Sequence, residues 1–258
     1  MAFGESYRRI LNKLGYYNYQ HGFIFRHLNQ QTGWNSHLEK CRNFIIKALE
    51  VHKPLKISVL GSGWLLELPL AEMLEKVNKI FLIDIIHPPE VTQQVSNLPG
   101  VELKTEDISG GLIDEVWRKT SRLPFFKKLK SLDDLTITEY TPDSDPGMVI
   151  SLNILTQLET LPVKHLMKKS KVNEEELIRF RKEIQNKHIN FLKKHKSVLI
   201  TDVDEVFTDR SGNISEKKSV MTSLPDGIYK EEWTWDFDLM GSDYYGKRSV
   251  FKVAAIIM

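Results

Sequence analysis

The chain has 258 residues, 41% of them apolar and 27% charged, with 36 Lys and Arg against 34 Asp and Glu. That composition excludes a disordered, tail-like chain, and a net charge of only +2 argues against a general glove for phosphate backbones. Its one cysteine, Cys41, forbids an internal disulfide and multi-cysteine zinc sites, and no stretch nears the roughly eighteen apolar residues of a bilayer span.

The start of the chain, Met1 to Arg9, carries Glu5, Arg8 and Arg9 and lacks the apolar run of a signal peptide. A cytoplasmic protein is expected, built as one large domain with a small appendage. The first fifty residues read as helical. Tyr7, Ile10, Leu11 and Leu14 recur at helical spacing. A further helix is predicted from about Ser36 to Val51, with Ser36 as N-cap and Leu38, Cys41, Ile45, Ala48 and Leu49 on one face. Pro54 closes it, so a helical N-terminal cap is expected over 1–53.

From Lys56 the rhythm changes. Lys56 to Leu60 is a short β-branched strand ending in Gly61-Ser62-Gly63, and Trp64 to Val77 is apolar and helix-long. Lys79 to Ile86 is a second strand carrying Asp84 near its end. Val101 to Leu103 is a third, followed by Thr105-Glu106-Asp107. Residues 111–146 read as an insert with a basic, aromatic patch at 117–130 and a polar Asp/Pro-rich tail. Met148 to Leu152 and Ser197 to Thr201 are a fourth and fifth strand. Between them Asn173 is a good N-cap for a helix whose first turn holds Glu174, Glu175 and Glu176. Trp233, Trp235, Phe237 and Leu239 alternate, and with Ser249 to Ile257 they predict a closing hairpin. Strands alternating with crossovers predict a doubly wound, mostly parallel seven-stranded α/β sheet over 54–258 with an antiparallel C-terminal hairpin.

One geometry carries the functional reading. Glycines at a strand-to-helix turn let a ligand approach the backbone. Asp84 lies twenty-three residues after Gly61, near the spacing at which an acid holds ribose hydroxyls. Asp107 follows at the same interval, so all three features fall along one sheet edge. A dinucleotide fingerprint needs a small residue three positions after Gly63, where this chain has Leu66. A mononucleoside needs less exposed backbone.

Val59-Leu60-Gly61-Ser62-Gly63, Leu82-Ile83-Asp84-Ile85, Glu106-Asp107-Ile108 and Ile150-Ser151-Leu152-Asn153, with the terminal hairpin, resemble the class I (Rossmann-like) S-adenosylmethionine-dependent methyltransferases over about residues 55–258. The resemblance implies a transferase with S-adenosyl-L-methionine as cofactor. It puts Gly61, Ser62 and Gly63 against the methionine portion and Asp84 on the ribose hydroxyls. It puts Asp107 on the adenine amino group, with Ile85 and Ile108 flanking the ring. Leu152 and Asn153 would face the methyl group. Two positions depart from the family. Val59 stands where an acid is usual, and Leu65 where a third glycine is common. They motivate an alternative, a non-catalytic, degenerate methyltransferase-fold binding protein.

Methyl transfer is mostly positioning, and a base is needed only if the acceptor must lose a proton. His21, His37 and Asn153 are the candidates, beside an aromatic cluster of Tyr16, Tyr17 and Tyr19. The residues after the fourth strand, Asn153-Ile154-Leu155-Thr156, lack a base-methylation signature such as Asn-Pro-Pro-Tyr. A small-molecule acceptor without nucleic acid is therefore expected. A competing motif, Val198 to Asp204, resembles the opening of haloacid-dehalogenase-type phosphatases, with Asp202 as nucleophile and Asp204 as general acid around magnesium. No histidine pair has metal-ligand spacing on one helix, so no metal site is expected.

Overall fold

The computed structural model describes residues 5–121, 129–242 and 246–258. The central part of the predicted 117–130 patch, residues 122–128, lies outside them. Three helices open the chain: α1 (Glu5–Leu14), α2 (Tyr16–Asn29) and α3 (Gln31–His52). The following elements are β1 (Lys56–Leu60), α4 (Leu70–Lys76), β2 (Lys79–Asp84), α5 (Pro89–Val95), β3 (Val101–Thr105), α6 (Leu112–Ser121) and β4 (Met148–Leu152). Then come α7 (Thr160–Lys169), α8 (Glu174–Leu192), β5 (Ser197–Thr208), β6 (Ile214–Lys218), β7 (Tyr229–Asp238) and β8 (Arg248–Ile257).

The strands form one mostly parallel sheet in the order β3-β2-β1-β4-β5-β8-β7. β1 through β5 are parallel to one another, whereas β8 runs antiparallel to both β5 and β7. The sheet has eight strands rather than the expected seven, because β6 pairs antiparallel with β5 beside the main path. Every residue of β6 is exposed. Without a buried face it shows no hydrophobic alternation, the signal by which strands are read.

Alternate residues of each central strand enter opposite cores, as the two-residue period of a strand requires. Ile57 and Val59 join a cluster with Leu38, Cys41 and Ile45 of α3 and Met73 of α4. Leu60, Val149 and Leu199 join a second cluster with Val116 of α6, Leu166 of α7 and Ile184 of α8. Coverage on both faces explains why β4 is buried at every residue.

Several predicted boundaries move, some for local and some for tertiary reasons. The third helix begins at Gln31, so Ser36 is not its cap. Its start is fixed by tertiary bonds instead: Gln30 Nε2 donates to the Phe237 carbonyl at 2.6 Å and Oε1 accepts from Leu239 N at 2.8 Å, while Trp34 Nε1 donates to Phe237 at 3.0 Å. The helix expected over 64–77 shrinks to α4, because Pro69 cannot donate to the preceding turn. β5 runs on to Thr208, held by β6 and β8. Asp202 and Asp204 therefore lie within a continuous strand, and Asp204 sits in register with Lys218 and Lys252. The cluster of Tyr16, Tyr17 and Tyr19 lies at the start of α2, after Gly15, whose φ of 92° turns the chain. The Asn173 cap is as expected, its side chain accepting from Glu176 N at 2.8 Å.

Candidate functional site

β1 ends in a turn that only glycine fits. Gly61 has φ 80°, and a Cβ there would meet Ile154 Cβ and the Leu152 carbonyl, each at 2.8 Å. Gly63 is also left-handed, at φ 49°. Asp84, at the end of the neighbouring β2, binds this turn. Its Oδ2 accepts from Gly63 N at 2.8 Å, and Oδ1 accepts from Ile85 N at 2.7 Å. Burial pushes the Asp84 carboxyl upward, against the opposing pull of those backbone N–H groups. Ser62 is buried and its Oγ has no hydrogen-bond partner among the described residues.

Asp107, beyond β3, is half-buried. It accepts from Ser109 N at 2.9 Å and from the Tyr7 hydroxyl of α1 at 3.1 Å. Desolvation pushes it above the usual carboxylate range. Tyr16 of α2 feels both acids: its hydroxyl is pushed well up by burial and then by the charges of Asp107 and Asp84. Ile108 is buried and Ile85 half-buried beside them. The equal spacing in sequence thus becomes proximity in space, with a tyrosine near both acids.

A cavity of about 80 Å³ lies against the glycine turn, lined by Gly61, Gly63, Asp84, Ile85, Leu152 and Asn153 and roofed by Tyr16, Tyr19 and Phe23 of α2. Sites for drug-sized ligands are typically ~300–1,000 Å³, so α2 holds this one nearly closed. Trp64 Nε1 donates to the Gln20 carbonyl at 3.1 Å and ties α2 to the turn.

Sequence reasoning missed Glu67, which lines the same cavity. It is buried, and its one side-chain hydrogen-bond partner among the described residues is Asn153 Nδ2, at 3.5 Å. Desolvation pushes its carboxyl upward. The signal was present, since Glu67 is the lone charge in the apolar stretch Trp64 to Leu70.

Asn153 follows β4 in the left-handed conformation, φ 49°. Its amide lies 3.3 Å from His37 Nε2, and its buried Oδ1 has no partner among the described residues. His37 itself is fully buried in α3. It accepts from Trp233 Nε1 at 3.0 Å and stacks on Trp235 with ring centres 3.9 Å apart. Burial lowers its pKa to about 3, so it is neutral near pH 7. With Nδ1 accepting from the tryptophan, neutral His37 carries its proton on Nε2, which faces the Asn153 amide as a donor and pairs with the amide oxygen, in the turned-over amide, rather than the NH2 group. His21 is exposed and lines neither of the two cavities that meet at Asn153.

The second of these cavities is larger, about 720 Å³, and shares Asn153, Gln157 and Phe23 with the first. Trp235, Phe237 and Phe251 of the terminal hairpin contribute to its lining. Asp202 and Glu205 enter it from β5. Asp202 is buried and accepts from Thr156 Oγ1 at 2.5 Å. Among the described residues no group of three His, Cys, Asp or Glu side chains is placed to hold a metal ion, and no helix is long and apolar enough to cross a membrane.

The chain is thus an α/β protein with a mostly parallel sheet, a glycine turn after β1 and acids at the end of β2 and after β3, and it is similar to methyltransferases of known structure. One is the methyltransferase domain of a bacterial Hen1, 11% identical over 90% of this chain and 100% of that one, with a TM-score of 0.35. Another is a candidate RNA methyltransferase from Pyrococcus horikoshii, 8% identical over 84% of this chain and 82% of that one, with a TM-score of 0.32. No protein-family description and no curated protein matches the sequence.

Proposed function

We propose that the chain is a cytoplasmic S-adenosyl-L-methionine-dependent methyltransferase acting on a small-molecule acceptor. In this reading residues 54–258 are a doubly wound Rossmann-like domain, interrupted at 111–146, and 1–53 form its helical cap. The carrying observation is that Gly61, Gly63 and Asp84 line one cavity with a buried carboxylate, Glu67, that forms no ion pair among the described residues, and that Asp107 follows the neighbouring β3.

The residues fit the cofactor. A nucleoside across the ends of β1, β2 and β3 would meet Asp84 at its ribose and Asp107 at its base, between Ile85 and Ile108. Glu67 would take the amino-acid ammonium, standing in for the acid that Val59 replaces. The unmatched polar atoms of Ser62 and Asn153 would gain partners. When bound, the cofactor supplies a methyl group on a sulfonium. The chain's own part is to hold the two ends of the ligand, to exclude water through Tyr16, Tyr19 and Phe23, and to set the Asn153 amide through His37. Entry needs α2 to withdraw its side chains, since about 80 Å³ does not admit a nucleoside.

Titration calorimetry with S-adenosylmethionine and S-adenosylhomocysteine tests this. Saturable binding is expected, weakened at least tenfold in Glu67→Gln and in Asp84→Asn, with circular dichroism checking that both variants fold. The nearly filled cavity favours one second reading, a degenerate binding protein whose nucleoside site is plugged by its own tyrosines. Absence of any binding to the folded protein selects that reading over the first.

A further inference from the structure

We propose that the 720 Å³ cavity binds a small molecule carrying a phosphoryl group on a flat apolar body. Its role as the acceptor site rests on the methyl-transfer reading. The ligand chemistry rests on the cavity alone. The volume falls within the usual range for small-molecule sites. It abuts the glycine-turn cavity at Asn153, so a ligand in it would approach whatever occupies the turn.

Basic side chains outnumber carboxylates on its wall. Lys13 of α1, Lys164 and Lys168 of α7 and Lys217 of β6 all line it, and none forms an ion pair among the described residues. Lys164 and Lys168 are one helical turn apart and so share a face. Elsewhere on the surface Lys47, Lys56, Lys79 and Lys252 each lie against a carboxylate. Arg181, also on the wall, is answered by buried Glu159 at 3.1 Å. The two carboxylates in the cavity are engaged as well: Asp202 by Thr156, Glu205 by the Ser249 hydroxyl at 2.5 Å. Four lysines around one concavity repel one another, and a dianion set among them relieves that repulsion and gains attraction from each.

The aromatic side supplies the other half of the recognition. Half-buried Phe23 and Phe251 line the cavity, backed by buried Trp235 and Phe237, and the Arg26 guanidinium sits 4.7 Å over the Phe237 ring. Cations ringing a single concavity, on a chain of net charge +2, suit a compact anion better than an extended RNA backbone.

The probe is phenyl phosphate, titrated by calorimetry alongside inorganic phosphate and benzyl alcohol. Saturable binding is expected for phenyl phosphate, tighter than for either fragment. It should weaken at least tenfold in Lys164→Glu/Lys168→Glu and in the gentler Lys164→Met/Lys168→Met, and stay unchanged in Lys230→Glu. No saturable binding, or binding indifferent to both double variants, overturns the proposal. So does a preference for single-stranded RNA whose affinity climbs with oligonucleotide length. S-adenosylhomocysteine titrated into the same sample separates the two readings. Its binding without phenyl phosphate binding sinks this proposal alone, and the reverse sinks the methyl-transfer reading while the anion site stands.

Discussion

Removing one hydroxyl should make the protein less stable and a better binder at once. Tyr7 on α1 donates to Asp107 at 3.1 Å, and this bond joins the N-terminal helices to the acid expected to hold the adenine amino group. Tyr7→Phe keeps the ring packed near Leu11, Leu14 and Ile113 and deletes only the donor. A hydrogen bond to a charged acceptor contributes about 1.5–3 kcal/mol. Asp107 is half-buried and keeps its two bonds from Ser109, so a value at or just below the low end of that range applies, about 1–2 kcal/mol. That loss falls on the closed state. If ligand entry requires α1 and α2 to open, apparent affinity rises with the open fraction, by roughly five- to thirtyfold for the same energy. Chemical unfolding gives the stability, and S-adenosylhomocysteine titration gives the affinity. Stability and affinity falling together would refute the reasoning, because Tyr7 would then be part of the bound site instead of a latch over it.

Three further outcomes follow from burial and backbone geometry. Glu159 is fully buried beside Arg181 and Gln185, and desolvation raises its pKa to about 7. Since the folded value exceeds the ordinary one, the folded state binds the extra proton, and stability should fall by a few kcal/mol as pH rises from about 4.5 through 7; urea unfolding of Glu159→Gln should lose that slope, and an unchanged slope would remove Glu159 as its source. Lys53 is exposed and left-handed at φ 45° at the end of α3. Lys53→Gly should therefore stabilise by about 1 kcal/mol, a melting rise of roughly 2–4 °C, and a drop in melting temperature would contradict the strain argument. Trp34 is fully buried against Trp235, at 4.8 Å between ring centres, and Phe237, at 5.7 Å. Trp34→Ala should cost about 3–5 kcal/mol in chemical unfolding, and a loss under about 1 kcal/mol would show that this cluster does not hold α3 to the sheet.

The elements whose patterns are local were legible in the chain. β1 and β4 begin and end where the apolar runs do, and the terminal hairpin follows its alternating aromatics. What escaped was set by distant partners. The start of α3 is fixed by bonds from Gln30 and Trp34 to a strand some two hundred residues later. β6 exists because it has a backbone to pair with, not a face to bury. At the site, the glycine turn and both acids could be read from their spacing. Glu67 could not be placed, since its stretch resembles a helix and is in fact a series of turns before Pro69. His37 was visible as a residue type, but only the fold reveals that Trp233 takes its Nδ1 lone pair. The basic cavity draws its lysines from α1, α7 and β6, which no linear pattern unites.

A crystal structure with S-adenosylhomocysteine would locate the ligand directly. The ribose should lie on Asp84, the adenine amino group on Asp107 and the ammonium on Glu67, with α1 and α2 shifted outward from their present positions. Ligand density lying elsewhere, with the Tyr7–Asp107 bond still intact, would contradict the account.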